Sequence, residues 1–324
     1  MQGDKSPTFL GTQFMSLQVT MIAALLISTT IGGTLAEGAA SSKLKDPSEC
    51  IESPPARFTL PSQPQATARF KDYEVSTYYQ PGPIEETDKP SAEMLTAVEI
   101  KQAGRRVYAR KCVTREFLIA DLHETRTPRE RIAIGRDITG KGVPNLVISY
   151  WSGGAHCCYT AHVFEIGGRF RKIASLNAEN GPLDFEDLDG DGALEFVFRD
   201  WTFAYWRTSF NYSPAPRVVL RFQNGAYRMA PDFMRKPPAS NDLLKEKAQE
   251  VLKGDWTNER VPPELWRYMV ELIYSGNAKQ AWAFFDMAWR PGAPGKATFL
   301  KDFRSQLAKS PYWSEVAAMN RPGK

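Results

Sequence analysis

The sequence repeats one motif, a glycine-rich turn followed by a hydrophobic run and a tryptophan. The two copies cover residues 137–151 and 187–201, and they align without a gap at an offset of 50 residues. A short run of β-branched and aromatic residues after such a turn is typical of a buried strand. A period of this size predicts one sheet or propeller blade for each copy.

A second pattern recurs beside the first, in which two alternating stretches flank a short connection that contains glycine. It occurs at residues 163–170 and 219–227, and in a looser form at residues 98–107. Such stretches around a tight connection predict β-hairpins. We therefore predict a β-repeat domain at residues 66–232. Because closed propellers have about four or more blades, an incomplete propeller-like assembly and a closed one both remain open.

The second copy opens with an acidic turn in which carboxylates and glycines alternate. The candidate metal ligands are Asp187, Asp189, Asp191, the Ala193 carbonyl and Glu195. Calcium binds about six to eight oxygens, and a tight turn supplies them from alternate positions. Carboxylates packed this closely repel one another unless a cation lies among them. We expect a structural calcium ion here, and the alternative is a solvated turn that only begins a strand.

The first copy has lost most of these carboxylates. The corresponding positions are Asp137, Thr139, Lys141, Val143 and Asn145. Lys141 stands where the second copy has Asp191, and we expect its ammonium group to pair with Asp137 in place of an ion. No metal is predicted in this turn.

The pattern Asp-x-Asp-Gly-Asp-Gly-x-x-Glu at residues 187–195 carries a resemblance to a known family. Over residues 137–230 the chain resembles the FG-GAP or VCBS-type repeats of integrin-like propellers and of many exported bacterial proteins. The resemblance implies loops that hold calcium. It also implies a domain that binds other molecules rather than catalysing a reaction.

The N-terminal region predicts export. Residues 21–31 form a short apolar stretch, which a Gly-Gly pair and small residues follow, so we predict a signal peptide at residues 1–36. A membrane-spanning helix needs about 20 apolar residues, and no stable span is therefore expected after cleavage. Residues 37–65 are rich in Ser, Pro, Ala and Gly and are predicted to be a flexible lead-in. The expected location is the periplasm or the cell exterior.

The cysteines offer a structural role and a chemical one. An even number of cysteines in an exported chain favours disulfides, and these four allow three connectivities. The candidates are Cys50, Cys112, Cys157 and Cys158. The alternative is thiol or metal chemistry at the His156-Cys157-Cys158 segment, with His162 on the following strand.

Aromatic residues crowd the stretch after the second turn, and the segment 199–216 is longer than its counterpart in the first copy. Such an insertion is often functional. The possible ligand surface comprises Trp201, Phe203, Tyr205 and Trp206. Because Trp151 holds the position of Trp201 in the first copy, a core role is the alternative.

From about residue 240 the pattern changes to amphipathic helices, the first of which Asn241 is expected to cap. We predict an α-helical domain at residues 240–324. The predicted fold class is α+β, with a mainly-β propeller-like repeat domain followed by a small all-α C-terminal domain.

The charge pattern excludes one class of partner. The net charge is +4, and no basic run is dense enough for a nucleic-acid interface. The chain has no Gly-x-Ser-x-Gly nucleophile motif. We predict an exported, non-catalytic binding or scaffold protein with a protein or glycan ligand. The alternatives are an envelope-polymer hydrolase that uses Glu195 or a carboxylate near the aromatic insertion, and a thiol- or metal-handling protein.

Overall fold

The computed structural model describes residues 50–53, 60–80, 95–112, 116–119, 132–151, 158–257 and 260–321. All of these residues belong to one compact unit. Within them the fold is α+β, with three antiparallel sheets and five α-helices, which confirms the predicted class. The predicted signal peptide and most of the lead-in lie outside the described residues.

The first sheet has five strands in the order β1-β5-β4-β3-β2. They are β1 (Cys50–Ser53), β2 (Ala66–Phe70), β3 (Tyr73–Gln80), β4 (Leu95–Gln102) and β5 (Arg105–Cys112). A two-residue turn joins β4 to β5, with φ of 48° at Ala103 and 76° at Gly104. Positive φ at both positions matches the right-handed twist of the paired strands, which is why the hairpin at residues 98–107 forms.

The second and third sheets each have four strands that follow chain order. The second contains β6 (Glu116–Ile119), β7 (Asn145–Trp151), β8 (Tyr159–Ile166) and β9 (Phe170–Glu179). The third contains β10 (Asp184–Glu186), β11 (Glu195–Arg199), β12 (Arg217–Gln223) and β13 (Ala226–Met229). Each copy of the sequence repeat therefore supplies the second strand of one sheet.

The second sheet is a central layer that is buried on both faces. Leu146 and Ile148 of β7 pack into a cluster with the first sheet, whereas Val147 joins a cluster with the third sheet and the helices. Successive side chains of a strand point to opposite faces, so a strand buried on both sides needs apolar residues at every position. This explains the unbroken hydrophobic run after the first glycine turn.

The helices follow the third sheet. They are α1 (Asn241–Leu252), α2 (Pro263–Tyr274), α3 (Ala278–Ala288), α4 (Lys296–Leu307) and α5 (Trp313–Met319). The cap of α1 is Ser240 rather than the expected Asn241, because the Ser240 side chain accepts the N–H of Leu243 at 3.2 Å. Pro263 opens α2, where its missing N–H costs no helical hydrogen bond.

Aromatic packing joins the helices to the β-sheets. Phe203, in the connection after β11, lies 5.5 Å from Phe303 of α4 between ring centroids. Trp206 of the same connection lies 5.5 Å from Trp266 of α2. The helices and the second and third sheets therefore share one hydrophobic core. No helix in the described part of the chain is long and apolar enough to cross a membrane.

Candidate functional site

The hairpin formed by β11 and β12 carries opposite charges at its two ends. Arg199 lies directly opposite Arg217 at one end, which opens into the long connection at residues 200–216. At the other end, Glu195 is bonded to Arg221 beside the acidic turn. Four residue steps at about 3.3 Å each separate the ends by roughly 13 Å. The hairpin therefore supports two distinct sites.

The acidic end gathers three carboxylates. Asp187, Asp189 and Glu195 each offer an oxygen, and these oxygens lie within 4.8 Å of one another. Asp187 also accepts the N–H of Gly190 at 2.7 Å and that of Gly192 at 3.1 Å. Both glycines have positive φ, 78° and 88°, which a side chain would disfavour. The glycines thus let the turn wrap around the Asp187 carboxylate.

An arginine already reaches into this cluster. Arg221 Nε donates to Glu195 Oε1 at 2.9 Å, and Arg221 Nη2 donates to Asp189 Oδ2 at 2.5 Å. Glu195 is fully buried, and its other oxygen accepts the Leu188 N–H at 3.0 Å. The guanidinium also lies 4.3 Å from the ring centroid of Phe233. Arg221 is therefore a fixed counter-charge for two of the three carboxylates.

The donor set of the acidic end suits a hard cation. Calcium prefers carboxylate oxygens, and Asp187, Asp189 and Glu195 bring them together. Asp191 is not part of this trio, and its Oδ1 accepts the N–H of Ala193 at 2.8 Å. A cation bound by the trio has to share Asp189 and Glu195 with Arg221, so the two positive groups compete.

In the first copy of the turn, hydrogen bonds rather than an ion pair satisfy the Asp137 carboxylate. Asp137 accepts the Thr139 N–H at 2.9 Å, the Thr139 hydroxyl at 3.0 Å and the Gly142 N–H at 2.6 Å. Burial alone would raise the pKa of Asp137, but these hydrogen bonds outweigh it and lower the pKa. No ion pair joins Lys141 to Asp137 in the part of the chain that the structure describes, which corrects the expected pairing. Backbone N–H groups reach the carboxylate instead of the ammonium.

The two turns touch each other. The N–H of Leu194, in the second copy, donates to the Ile138 carbonyl of the first at 2.9 Å. Asn145 and Glu195 also occupy equivalent places, since Asn145 Oδ1 accepts the Ile138 N–H at 2.9 Å just as Glu195 accepts that of Leu188. The repeat therefore joins the second and third sheets at their turns.

A cleft of about 500 Å³ opens at the basic end of the hairpin. One wall is the end of the long connection, residues 213–217, and the opposite wall is α2. Four basic residues and one acidic residue belong to its lining: Arg199, Arg217, Lys236, Arg267 and Glu271. Among the described residues that line the cleft, no second carboxylate accompanies Glu271.

A buried carboxylate stands beside the cleft. Asp200 is 5% exposed, and its Oδ2 accepts hydrogen bonds from the Tyr274 hydroxyl at 2.6 Å and from Ser310 Oγ at 2.5 Å. Tyr274 itself lines the cleft. Sequence reasoning missed Asp200, although one signal was available. The first copy has Tyr150 at the equivalent position, so the second copy has gained a charge there.

The predicted aromatic surface divides between core and cleft. Phe203 is 1% exposed, and Trp206 packs against Trp266, so both belong to the core. Trp201 lines the cleft and stacks on Phe210 at 4.9 Å between ring centroids. Tyr205 is 58% exposed. Of the four predicted residues, Trp201 is the one that lines the cleft.

Of the cysteine and histidine candidates, Cys50 and Cys112 lie in the first sheet and His162 lies in the second. His156 and Cys157 are outside the described residues. Cys112 and Cys158 are each disulfide-bonded, and β1 places Cys50 opposite Cys112 in backbone register. His162 is 2% exposed, and its Nδ1 lies 2.9 Å from Ser175 Oγ. The proposed thiol or metal segment therefore stays a prediction.

Comparisons with known proteins give short, partial matches. No protein-family model matches the chain. An uncharacterized protein of Sinorhizobium fredii is 25% identical over 147 residues, which cover 43% of this chain and 22% of that protein. A probable thylakoid lumen protein of Synechocystis sp. is 35% identical over 85 residues, which cover 25% of each protein. The chain thus matches about a quarter of the length of these relatives.

Proposed function

We propose that the protein is an exported, non-catalytic binding protein whose ligand site is the cleft between the long connection and α2. The observation that carries this proposal is the cleft itself, which has a volume of about 500 Å³. Sites for small molecules typically measure about 300–1,000 Å³. The connection that forms one wall is the insertion that distinguishes the second copy of the repeat from the first.

The cleft favours binding over hydrolysis. Most glycosidases place two carboxylates on either side of the bond that they cleave. Glu271 is a single carboxylate in the described lining, and Glu195 is buried at the far end of the hairpin. Asp200, the carboxylate beside the cleft, is buried and accepts the Tyr274 and Ser310 hydroxyls, so it is not free to act as the second acidic group that a hydrolase needs. The proposed ligand is a protein segment or a glycan.

Two observations support export. Residues 21–31 have the apolar pattern of a signal peptide. One relative is named a probable thylakoid lumen protein. The thylakoid lumen is a compartment that proteins reach by export. The proposed location is the periplasm or the cell exterior, where calcium is also available to an acidic turn.

The proposed role of the acidic turn is structural. Asp187, Asp189 and Glu195 would hold calcium, with Asp191 and the Ala193 carbonyl as further oxygen donors. The ion would fix the turn that joins the second and third sheets. In this proposal the sheets are blades of an incomplete propeller-like repeat, because each has the same strand order and begins its second strand after a glycine turn.

The test is a glycan and peptide array probed with the purified protein and two variants. Glu271→Trp fills the cleft from an exposed position of α2, and Lys279→Trp makes the same change at an exposed position of α3 outside it. We expect Glu271→Trp to lose the array signal and Lys279→Trp to keep it. The bound compound should be recovered with unchanged mass. A signal that Glu271→Trp leaves intact, or cleavage of the compound, would contradict the proposal.

A further inference from the structure

The cleft holds more positive charge than the protein neutralises. Arg199, Arg217, Lys236 and Arg267 all belong to its lining. Within the described part of the chain none of the four forms an ion pair, although ion pairs occur at many other basic residues. Glu271 supplies one negative charge against these four positive charges. The excess creates a positive potential, which a concave, low-dielectric surface concentrates.

The arrangement of the two strand arginines is costly without an anion. Arg199 and Arg217 are direct cross-strand partners, and like charges at such positions destabilise a sheet. Each guanidinium is held by a backbone carbonyl, Arg199 by Ala215 at 2.8 Å and Arg217 by Phe233 at 3.0 Å. These bonds orient the guanidinium groups but do not neutralise them. Further N–H donors remain on each group for a ligand.

The other two cations come from different parts of the fold. Arg267 belongs to α2, and Lys236 lies between the third sheet and α1. Neither side chain forms a hydrogen bond or ion pair with a described residue, and both are exposed. The four cations therefore reach the cleft from four chain segments, namely β11, β12, the connection before α1, and α2, so one small anion such as chloride is a poor match for all of them.

We propose that this cleft binds a small organic polyanion that carries at least two carboxylate, phosphate or sulfate groups. The inference rests on the proposed function and specifies the ligand class of the same site. The volume of about 500 Å³ limits the enclosed part of the ligand to roughly the size of a disaccharide. Arginine guanidinium groups bind such oxyanions through two parallel hydrogen bonds. Trp201, which also lines the cleft, offers an apolar edge beside the arginines.

The experiment is calorimetric titration with probes of similar size in buffer freed of divalent cations by a chelating resin. The polyanionic probes are a sulfated disaccharide, digalacturonic acid and fructose 1,6-bisphosphate, which separate the three oxyanion types. Cellobiose is the neutral control. Removing the divalent cations prevents the probes from acting through the acidic turn.

Three variants locate the binding. Arg267→Gln and Lys236→Gln each remove an exposed charge from the cleft, and Arg169→Gln removes one from an exposed hairpin turn outside it. We expect at least one polyanion to bind more tightly than cellobiose. Each cleft variant should raise its Kd at least about tenfold, because it takes a charged hydrogen-bond donor away from the ligand. Arg169→Gln should leave Kd within about twofold.

Two results would overturn the inference. The first is that no polyanionic probe binds better than cellobiose. The second is that the cleft variants change Kd no more than Arg169→Gln does. The two proposals can also be separated. If a neutral compound from the array binds the wild type and Arg267→Gln equally well but does not bind Glu271→Trp, the proposed function stands and the polyanion assignment fails.

Discussion

The hydroxyl of Tyr274 donates a 2.6 Å hydrogen bond to Oδ2 of Asp200, and this bond ties the last residue of α2 to the residue that follows β11. Ser310 Oγ donates to the same oxygen at 2.5 Å. Burial, and then the negative charge of Asp200, raise the pKa of Tyr274, so the phenol remains a donor at neutral pH. Because α2 forms one wall of the cleft, this network sets the position of that wall.

We predict that Tyr274→Phe lowers the free energy of unfolding by about 1–3 kcal/mol, because it removes one donor from a buried carboxylate. Urea denaturation measures the change. The matched control is Tyr212→Phe, which removes a hydroxyl from a side chain that is 52% exposed and should cost less than about 0.5 kcal/mol. An equal loss in both variants would show that the bond to Asp200 adds nothing.

The parts of the fold that depend on local sequence could be predicted. Gly190 and Gly192 adopt the positive φ that their pattern indicated, and β11 follows them as expected. The cleft could not be predicted, because its two walls come from distant segments. Tyr274 and Asp200 are 74 residues apart in sequence, and only the packing of α2 brings them together.

The expected pairing of Lys141 with Asp137 failed for a different physical reason. Sequence reasoning compared side-chain charges and left out backbone donors. In this glycine turn the N–H groups of Thr139 and Gly142 already donate to the Asp137 carboxylate, at 2.9 Å and 2.6 Å. Arg221 was missed for another reason, since it lies 26 residues beyond Glu195 in sequence and its side chain reaches Glu195 only across the pair of strands.

The raised pKa of Glu179 predicts that the stability of the protein depends on pH. Burial, and then the charge of Asp200, raise the pKa of Glu179 above its ordinary value of 4.5. The folded state therefore holds this proton more tightly than the unfolded state does. The resulting stabilisation is complete below about pH 4.5 and is lost as the pH rises through the folded pKa.

We predict that Glu179→Gln melts at a higher temperature than the wild type at pH 7, because the variant never carries the buried charge. The difference should shrink as the pH falls below 4.5, where the wild-type carboxyl is neutral in both states. Differential scanning calorimetry across this range makes the comparison, and the low-pH scans serve as the internal control. A variant that is less stable than the wild type at pH 7 would contradict the assignment.

We predict that calcium bound at the acidic turn stabilises the protein, and that Arg221 limits this stabilisation. Extracellular calcium modules bind with Kd of about 10⁻⁴ to 10⁻³ M, so calcium at about 1 mM should add roughly 0.4–1.4 kcal/mol to the stability. Melting temperatures in a chelator and in calcium measure the effect. The double variant Asp189→Ala, Asp191→Ala should lose it.

The variant Arg221→Gln distinguishes a calcium site from an internally neutralised turn. It removes the competing cation from Asp189 and Glu195, so the calcium-free variant should be less stable than the wild type. Calcium should then raise its melting temperature more than it raises that of the wild type. If neither protein responds to calcium, Arg221 is the only counter-cation that the turn uses.

The last prediction concerns disulfide connectivity. Cys50 in β1 and Cys112 in β5 are direct antiparallel partners, and such partners have Cα separations of about 4.5–5.5 Å, within the range that a disulfide spans. We predict a Cys50–Cys112 bond. Since Cys158 is also disulfide-bonded, Cys157 is then its expected partner. Peptide mapping without reduction should recover Cys50 and Cys112 in one pair of cross-linked peptides. A peptide that joins Cys112 to the segment of Cys157 and Cys158 would contradict the assignment, because it requires Cys50 to pair across to the second sheet.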